Sequence, residues 1–427
     1  GRGSGGSDLR FSRWVWFSGK LLGASGELGL WDKASNPKTA MGSGAARSEL
    51  ERSELPAWTA RADRLLLGAS RGLGLAGATT PSNVLSERAR LIDAYPELRP
   101  RWVYQAVRTS PLREHCDALL RLLDQVGASP LGDLYRARAE ELALELALVD
   151  AMATSRFASL ARRRYAYMGP SREVERLARE WAGQVPEASE GPRWESDGPG
   201  PCSLLGQLRA AIGRARVPFR VRVSGELPSL AATGDGVVYV APGRWLTAGE
   251  ARRTVQHEVM GHVMPRVRAG AIGLGLLEVG TARGADDQEG VALLWEERAG
   301  ELDAGRRHAL GLRHEAVNAM DSRASFGDVV RWLVEERGEG VREAVLLGER
   351  VFRGSDGDGG GLGRERVYLE SFVRVRAWLE GHPDDEVILG SGQVALEGVA
   401  VLGPLVGERA TEQHYVTIGT APRGTTG

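Results

Sequence analysis

Apolar residues recur at three- and four-residue steps from Leu112 to Val126 and from Ala137 to Met152, the period of helices that bury one face. Similar spacing predicts helices over Leu204 to Ala215, Glu301 to Ala319, Phe326 to Arg337 and Val367 to Glu380, with a last one near Val394. Two stretches read as strands instead: the alternating Phe219-Arg-Val-Arg-Val223, and Gly236-Val-Val-Tyr-Val-Ala241. The expected fold is α+β and predominantly helical, with a small sheet and an N-terminal helical layer over 59–184. Residues 185–201 are dense in Pro, Gly, Glu and Ser and read as a linker, followed by a second region over 202–406. Residues 1–58 are expected to be flexible and 407–427 to be a peripheral tail.

The chemistry is concentrated in Arg253-Thr-Val-Gln-His257-Glu258-Val-Met-Gly261-His262-Val-Met-Pro265. Thr247 and Glu250 have the spacing of a capping box and predict where the helix starts, and Pro265 predicts where it stops. Two histidines on one helix with a glutamate directly after the first can present two imidazoles to zinc with a general base beside them. In the common H-E-x-x-H the histidines lie about 40° apart around the helix; the i, i+5 spacing here puts them about 140° apart. Shared ligation therefore requires the helix to widen by one residue, as a π-bulge does, and Gly261 offers no side chain to resist it. Two unrelated histidines on an ordinary helix remain the alternative at this point.

A site with two histidines needs a third protein ligand, and a glutamate from a following helix is the usual one. Asp286-Asp287-Gln288-Glu289-Gly290-Val291-Ala292 opens such a helix. Glu278 lies in a Gly-rich stretch, and Glu296 is two turns beyond Glu289, too far to share the metal. With these motifs the chain resembles the zinc metallopeptidases marked by H-E-x-x-x-H and Gln-Glu-Gly-Leu-Ala, the family that includes the microtubule-associated tyrosine carboxypeptidase. Here the second motif reads Gln288-Glu289-Gly290-Val291-Ala292. The resemblance runs over roughly residues 60 to 405 and takes in Phe157, Ser159, Tyr167-Met-Gly-Pro-Ser171, Ala324-Ser325-Phe326, Val351-Phe352-Arg353-Gly354, Gly361-Leu362 and Val367-Tyr368-Leu369.

The resemblance implies a zincin-like core and a Zn2+ ion on His257, His262 and Glu289. It also implies Glu258 as the base for the attacking water, Tyr368 and Arg353 as candidates for oxyanion and substrate binding, and a peptide or protein C-terminus as substrate. Arg353 is a candidate for the terminal carboxylate. The strand over 237–241 precedes the H-E helix and is expected to offer its free edge to substrate, with an interior strand of a small sheet as the alternative. The family's Thr-Lys-Asp reads Gly363-Arg364-Glu365 here, so no role is carried over to that segment.

Composition narrows the picture further. The net charge of -1 lacks the basic excess of a nucleic-acid binder. No apolar run has the length of a membrane span. Two cysteines, Cys116 and Cys202, form no framework and suit a reducing, cytoplasmic setting. All three lysines, Lys20, Lys33 and Lys38, precede residue 40, and beyond it every permanent cation is arginine. The Trp14-Val-Trp-Phe17 cluster is not explained by a flexible segment. Gly68-to-Gly77 imitates a dinucleotide-binding turn, but Pro81 interrupts the helix that should follow. Gly354-Ser-Asp-Gly-Asp-Gly-Gly-Gly361 reads as a mobile loop and lacks the closing glutamate of a calcium loop. His308 and His314 read as surface histidines. Two other functions fit the motif: an inactive peptide-binding module of the same fold, and an aminopeptidase like dipeptidyl peptidase III, which also has H-E-x-x-G-H.

Overall fold

A computed structural model describes residues 55–165, 171–185, 191–225, 227, 229–234 and 236–410, without the side chains of 407–410. The Trp14–Phe17 cluster, nearly all of the expected flexible segment, Tyr167 to Pro170 and the tail from 411 lie outside the described residues.

The fold is α+β and predominantly helical. Leaving aside single-turn pieces, the N-terminal part consists of α1 (Thr59–Ser70), α2 (Val84–Asp93), α3 (Ser110–Val126), α4 (Pro130–Asp150), α5 (Phe157–Tyr165) and α6 (Arg172–Ala182). Then come β1 (Arg193–Glu195), α7 (Leu204–Ala215), β2 (Arg220–Val223), β3 (Ala231–Gly234), β4 (Val237–Val240), β5 (Trp245–Thr247) and α8 (Ala248–Gln256). A π-helical turn, His257–Val263, joins α8 to α9 (Met264–Ile272). The rest is α10 (Gly284–Arg298), α11 (Ala304–Asp321), α12 (Phe326–Glu335), α13 (Val341–Val351), α14 (Val367–Gly381) and α15 (Val399–Ala410). Among the described residues no helix is long and apolar enough to cross a membrane.

One apolar cluster runs from Ala62 through Tyr135, Leu146 and Phe157 to Leu293, Phe372 and Leu402, so the N-terminal helices and the C-terminal ones share a core. At its centre lies α10, buried on nearly every side. Its buried polar groups are paired across the molecule. Arg164 on α5 meets Asp286 at 2.7 Å and Glu141 and Glu145 of α4 at 3.2 Å. Glu141 also accepts the Arg283 backbone N–H, the residue just before α10, and so caps that helix from a distant one.

A second cluster packs α7 against the three-stranded sheet and the helix over 248–263, through Leu208, Val238, Val240, Val259 and Val263. The strand order is β2-β4-β3, with β2 parallel and β3 antiparallel to β4. The strand over 237–241 is therefore interior rather than a free edge. The outer strands are β2 and β3, and β3, Ala-Ala-Thr-Gly, has small residues with little strand propensity that give no strand signal. Within the 185–201 stretch, Arg193–Glu195 pairs with β5 instead of running free, and the buried Ser196 hydroxyl donates to the Ala241 carbonyl.

Three further expectations need correction. Pro265 does not stop the helix. The Met264 N–H bonds the carbonyl five residues back, at Val259, so Pro265 falls in the first turn of α9, where its missing N–H costs nothing. The path ends at Gly273, at φ 71°. The 354–361 stretch is packed down: Phe326 N–H donates to the Gly357 carbonyl, Tyr104 Oη to the Ser355 carbonyl, and a Cβ on Gly354 would come within 2.1 Å of the Phe157 ring. His314 is 4% exposed, a core residue rather than a surface one, while His308 pairs with Glu339 at 2.8 Å.

Burial, with Arg366 nearby, pushes the His314 pKa down from 6.5 to about 4. The native state therefore keeps His314 neutral while the unfolded chain protonates. Stability from this group is full above pH 6.5 and is lost as pH falls towards 4, by roughly 3 kcal/mol for a shift of that size. Replacing it (His314→Gln) is expected to flatten the acid limb of melting temperature against pH between 6.5 and 4; a limb of unchanged slope would assign the acid loss to other groups.

Candidate active site

The capping box at the start of α8 is formed: Thr247 accepts from Glu250 N–H, and the Glu250 side chain accepts from Thr247 N–H at 2.7 Å. From that fixed start the helix reaches His257 and widens into the π turn. The extra residue brings the two imidazoles to one side, with ring centroids 5.0 Å apart. Gly261 sits at the contact with α10, where a Cβ would lie 2.4 Å from Ala292 Cβ. The glycine is required by this close approach, besides any freedom it gives the backbone.

That approach places Glu289 opposite the histidines. Its Oε2 lies 3.3 Å from His257 Nε2 and 3.9 Å from His262 Nε2. One ligand atom from each of the three residues falls within 4.8 Å of the others, a group able to hold a metal ion. Glu289 Oε2 is buried and makes no hydrogen bond. An orphaned carboxylate oxygen facing two imidazole nitrogens fits a cation between them.

The rest of the site orients these three. His257 Nδ1 is 2.7 Å from Glu296 Oε1, and Glu296 is held by two hydrogen bonds from Arg306, at 2.8 and 2.9 Å. His262 Nδ1 is 2.9 Å from Gln288 Oε1; the Gln288 amide nitrogen donates to the Gly392 carbonyl, which fixes the amide's orientation. Each ring thus gives its Nδ1 proton to an acceptor and turns Nε2 towards Glu289. Glu278 is exposed and not part of the group, and Glu296 serves behind His257 instead of beside Glu289.

Electrostatics agree with a site built for a cation. Burial disfavours a charged His257, yet Glu289 and Glu296 outweigh it and raise its pKa to about 10. Burial pushes His262 down, against Glu289 and Glu258. Burial also works against an ionised Glu289, but His257 and Arg364 hold it well below the carboxylate range. Glu296, buried beside Arg306, is held down at about 2. Two buried carboxylates thus demand positive charge at His257, which a proton or a divalent ion can supply.

Glu258 is buried, and its Oε2 accepts from Thr233 Oγ1 of β3 at 2.7 Å. On the opposite side Arg364 donates to Glu289 Oε1 at 2.8 Å, and its other terminal nitrogen lies 3.4 Å from Tyr368 Oη. Arg313 covers the Tyr368 ring at 5.2 Å and stands 3.6 Å from Glu365, which Arg350 pairs at 2.9 Å. Arg353 joins this cluster. Its Nε is buried without a hydrogen-bond partner, and burial and Arg350 together lower its pKa. Sequence reasoning did not find Thr233, Arg306, Arg313 or Arg364, or the part played by Gln288. Gln288 had a signal in its place inside the motif, and Arg364 in standing where the family has the Lys of Thr-Lys-Asp.

The sequence model of the microtubule-associated tyrosine carboxypeptidase family matches residues 96–417. The chain belongs to this family. Compared with individual curated proteins it has no significant match. Membership in a carboxypeptidase family makes the chain a peptidase acting on a peptide or protein, and the family match spans every residue of the site described above.

Metal retention is expected to disappear in Glu289→Ala, to weaken about 10- to 100-fold in Glu296→Gln, and to be unchanged in Glu278→Ala. Equilibrium dialysis against a divalent metal checks this; dependence on Glu278 would displace Glu289 from the ligand set.

Proposed function

We propose that the chain is a zinc-dependent carboxypeptidase with a zincin-like core, using a water activated by glutamate. The observation that carries the reading is the convergence of two Nε2 atoms, each fixed by a hydrogen bond at Nδ1, on an orphaned Glu289 oxygen. His257, His262 and Glu289 would hold the ion in this H-E-x-x-x-H and Gln-Glu-Gly-Val-Ala arrangement. Zinc, when bound, supplies a Lewis acid that acidifies water and polarises the scissile carbonyl.

Glu258 takes the proton of the attacking water and passes it to the leaving amine. Its Oε2 is occupied by Thr233, which leaves Oε1 for the water. The Tyr368 hydroxyl donates to the developing oxyanion. Substrate runs along the outer edge of β3, the strand that reaches Glu258. Arg353 receives the terminal carboxylate; a guanidinium whose buried Nε has no partner gains most from an anion. Arg313, only loosely paired with Glu365, stands as the second guanidinium of that pocket. A cytoplasmic setting, suited to two free cysteines, belongs to this proposal. The buried and hydrogen-bonded Glu258 favours a working enzyme over an inactive binding module, and the family match favours a carboxypeptidase over an aminopeptidase.

Glu258→Gln is expected to keep about one zinc per chain and to lose hydrolysis by about 10²- to 10⁴-fold, the usual reach of a general base. Metal analysis and turnover on one preparation check both, and loss of the zinc would make Glu258 a ligand. A cleaved peptide is expected to resist hydrolysis once its C-terminus is amidated, and Arg353→Ala to raise KM for the free acid towards that of the amide. Equal wild-type rates on the two peptides would rule out carboxylate recognition.

A further inference from the structure

Glu289 has two oxygens, and the structure treats them differently. Oε2 faces the histidines and has no hydrogen bond, while Oε1 accepts from Arg364 Nη2 at 2.8 Å. The same guanidinium directs Nη1 to Tyr368 Oη at 3.4 Å. We propose that Arg364 is a positioning residue for the reaction: it confines Glu289 to one-oxygen ligation and aims the Tyr368 hydroxyl. This rests on the zinc peptidase reading above.

The chain delivers Arg364 from a rigid platform. Leu362 N–H donates to the Arg353 carbonyl and Gly363 N–H to the Val351 carbonyl, which ties the segment back to the end of α13. Gly363, at φ 64°, then turns the chain into a single 3-10 turn over Arg364–Arg366. The neighbouring Glu365 is 3% exposed and anchored by Arg350 at 2.9 Å. With its neighbour fixed, Arg364 has little freedom but to reach α10.

The consequence is chemical. A carboxylate free at both oxygens can chelate a metal and occupy the position that a water needs. Here one oxygen is taken by a charge-assisted hydrogen bond, so Glu289 would offer an ion its other oxygen alone. A Tyr368 hydroxyl that accepts from a guanidinium points its own proton elsewhere, where an oxyanion can receive it. Lysine has three donors on one nitrogen and meets two acceptors only where both lie close around it, whereas the arginine fork reaches Glu289 and Tyr368 with separate nitrogens.

The test measures zinc affinity by chelator competition, the coordination shell by X-ray absorption, and kcat and KM, for wild type, Arg364→Gln and Arg364→Lys. Zinc affinity is expected to fall about 10- to 100-fold in Arg364→Gln, with an added oxygen in the shell. Arg364→Lys is expected to recover most of the affinity, because the charge beside Glu289 returns, yet to keep a reduced kcat at near-normal KM because Tyr368 is no longer aimed. An Arg364→Gln protein with wild-type affinity and an unchanged shell overturns the inference, as does full kcat in Arg364→Lys. If Arg364→Gln fails to fold, Arg364→Lys decides alone by its kcat. A wild type that binds no zinc overturns the zinc reading itself, and the inference with it.

Discussion

The site depends on one close contact, Gly261 against Ala292, where any side chain larger than a hydrogen would force the π turn away from α10. The two histidines come from one helix and the glutamate from another, so the distance between those helices sets the spacing of the three side chains. A second close approach holds α10 from its other side, at Gly290, where a Cβ would lie 2.4 Å from the Ser371 carbonyl oxygen of α14. Packed interiors deform little, so two contacts of this kind leave α10 hardly any room to shift. The Gly after Glu289 in the second motif and the Gly before His262 in the first are thus two halves of one steric device.

How much of this was legible follows from what spacing can encode. The i, i+5 separation of His257 and His262 requires a widened turn if both face one ligand, and the turn is there. Thr247 and Glu250 announce a capping box by local chemistry, and the box is formed. Pro265 misled because the rule for proline assumes an unbroken α-helix, and the widened turn moves proline into a first turn. β3 was invisible because Ala231, Ala232 and Gly234 are small enough to belong to anything. Its absence from the prediction made β4 look like an edge.

The supporting residues were hidden for another reason. Arg364 and Glu289 are 75 residues apart in sequence, and Thr233 and Glu258 are 25 apart, so no helical or strand period links them. Glu296 was set aside as a ligand on distance, and the same two turns of helix place it on the face that supports His257. The buried polar groups of α10 break the apolar periodicity of a surface helix, and in a sequence they look like exposed ones. They are the residues that the rest of the molecule is arranged to satisfy.

Asp286 stands three residues before Glu289 on α10, and its carboxylate is held by Arg164, itself clasped by Glu141 and Glu145. The angular setting of Glu289 about its helix axis is therefore referred to α4 and α5, more than a hundred residues upstream. A substitution at Glu145 touches nothing in the site, but it loosens the bearing from which Glu289 takes its direction. The N-terminal helices act as the mount of an instrument whose optics lie elsewhere, and the alignment of the optics is inherited from the mount.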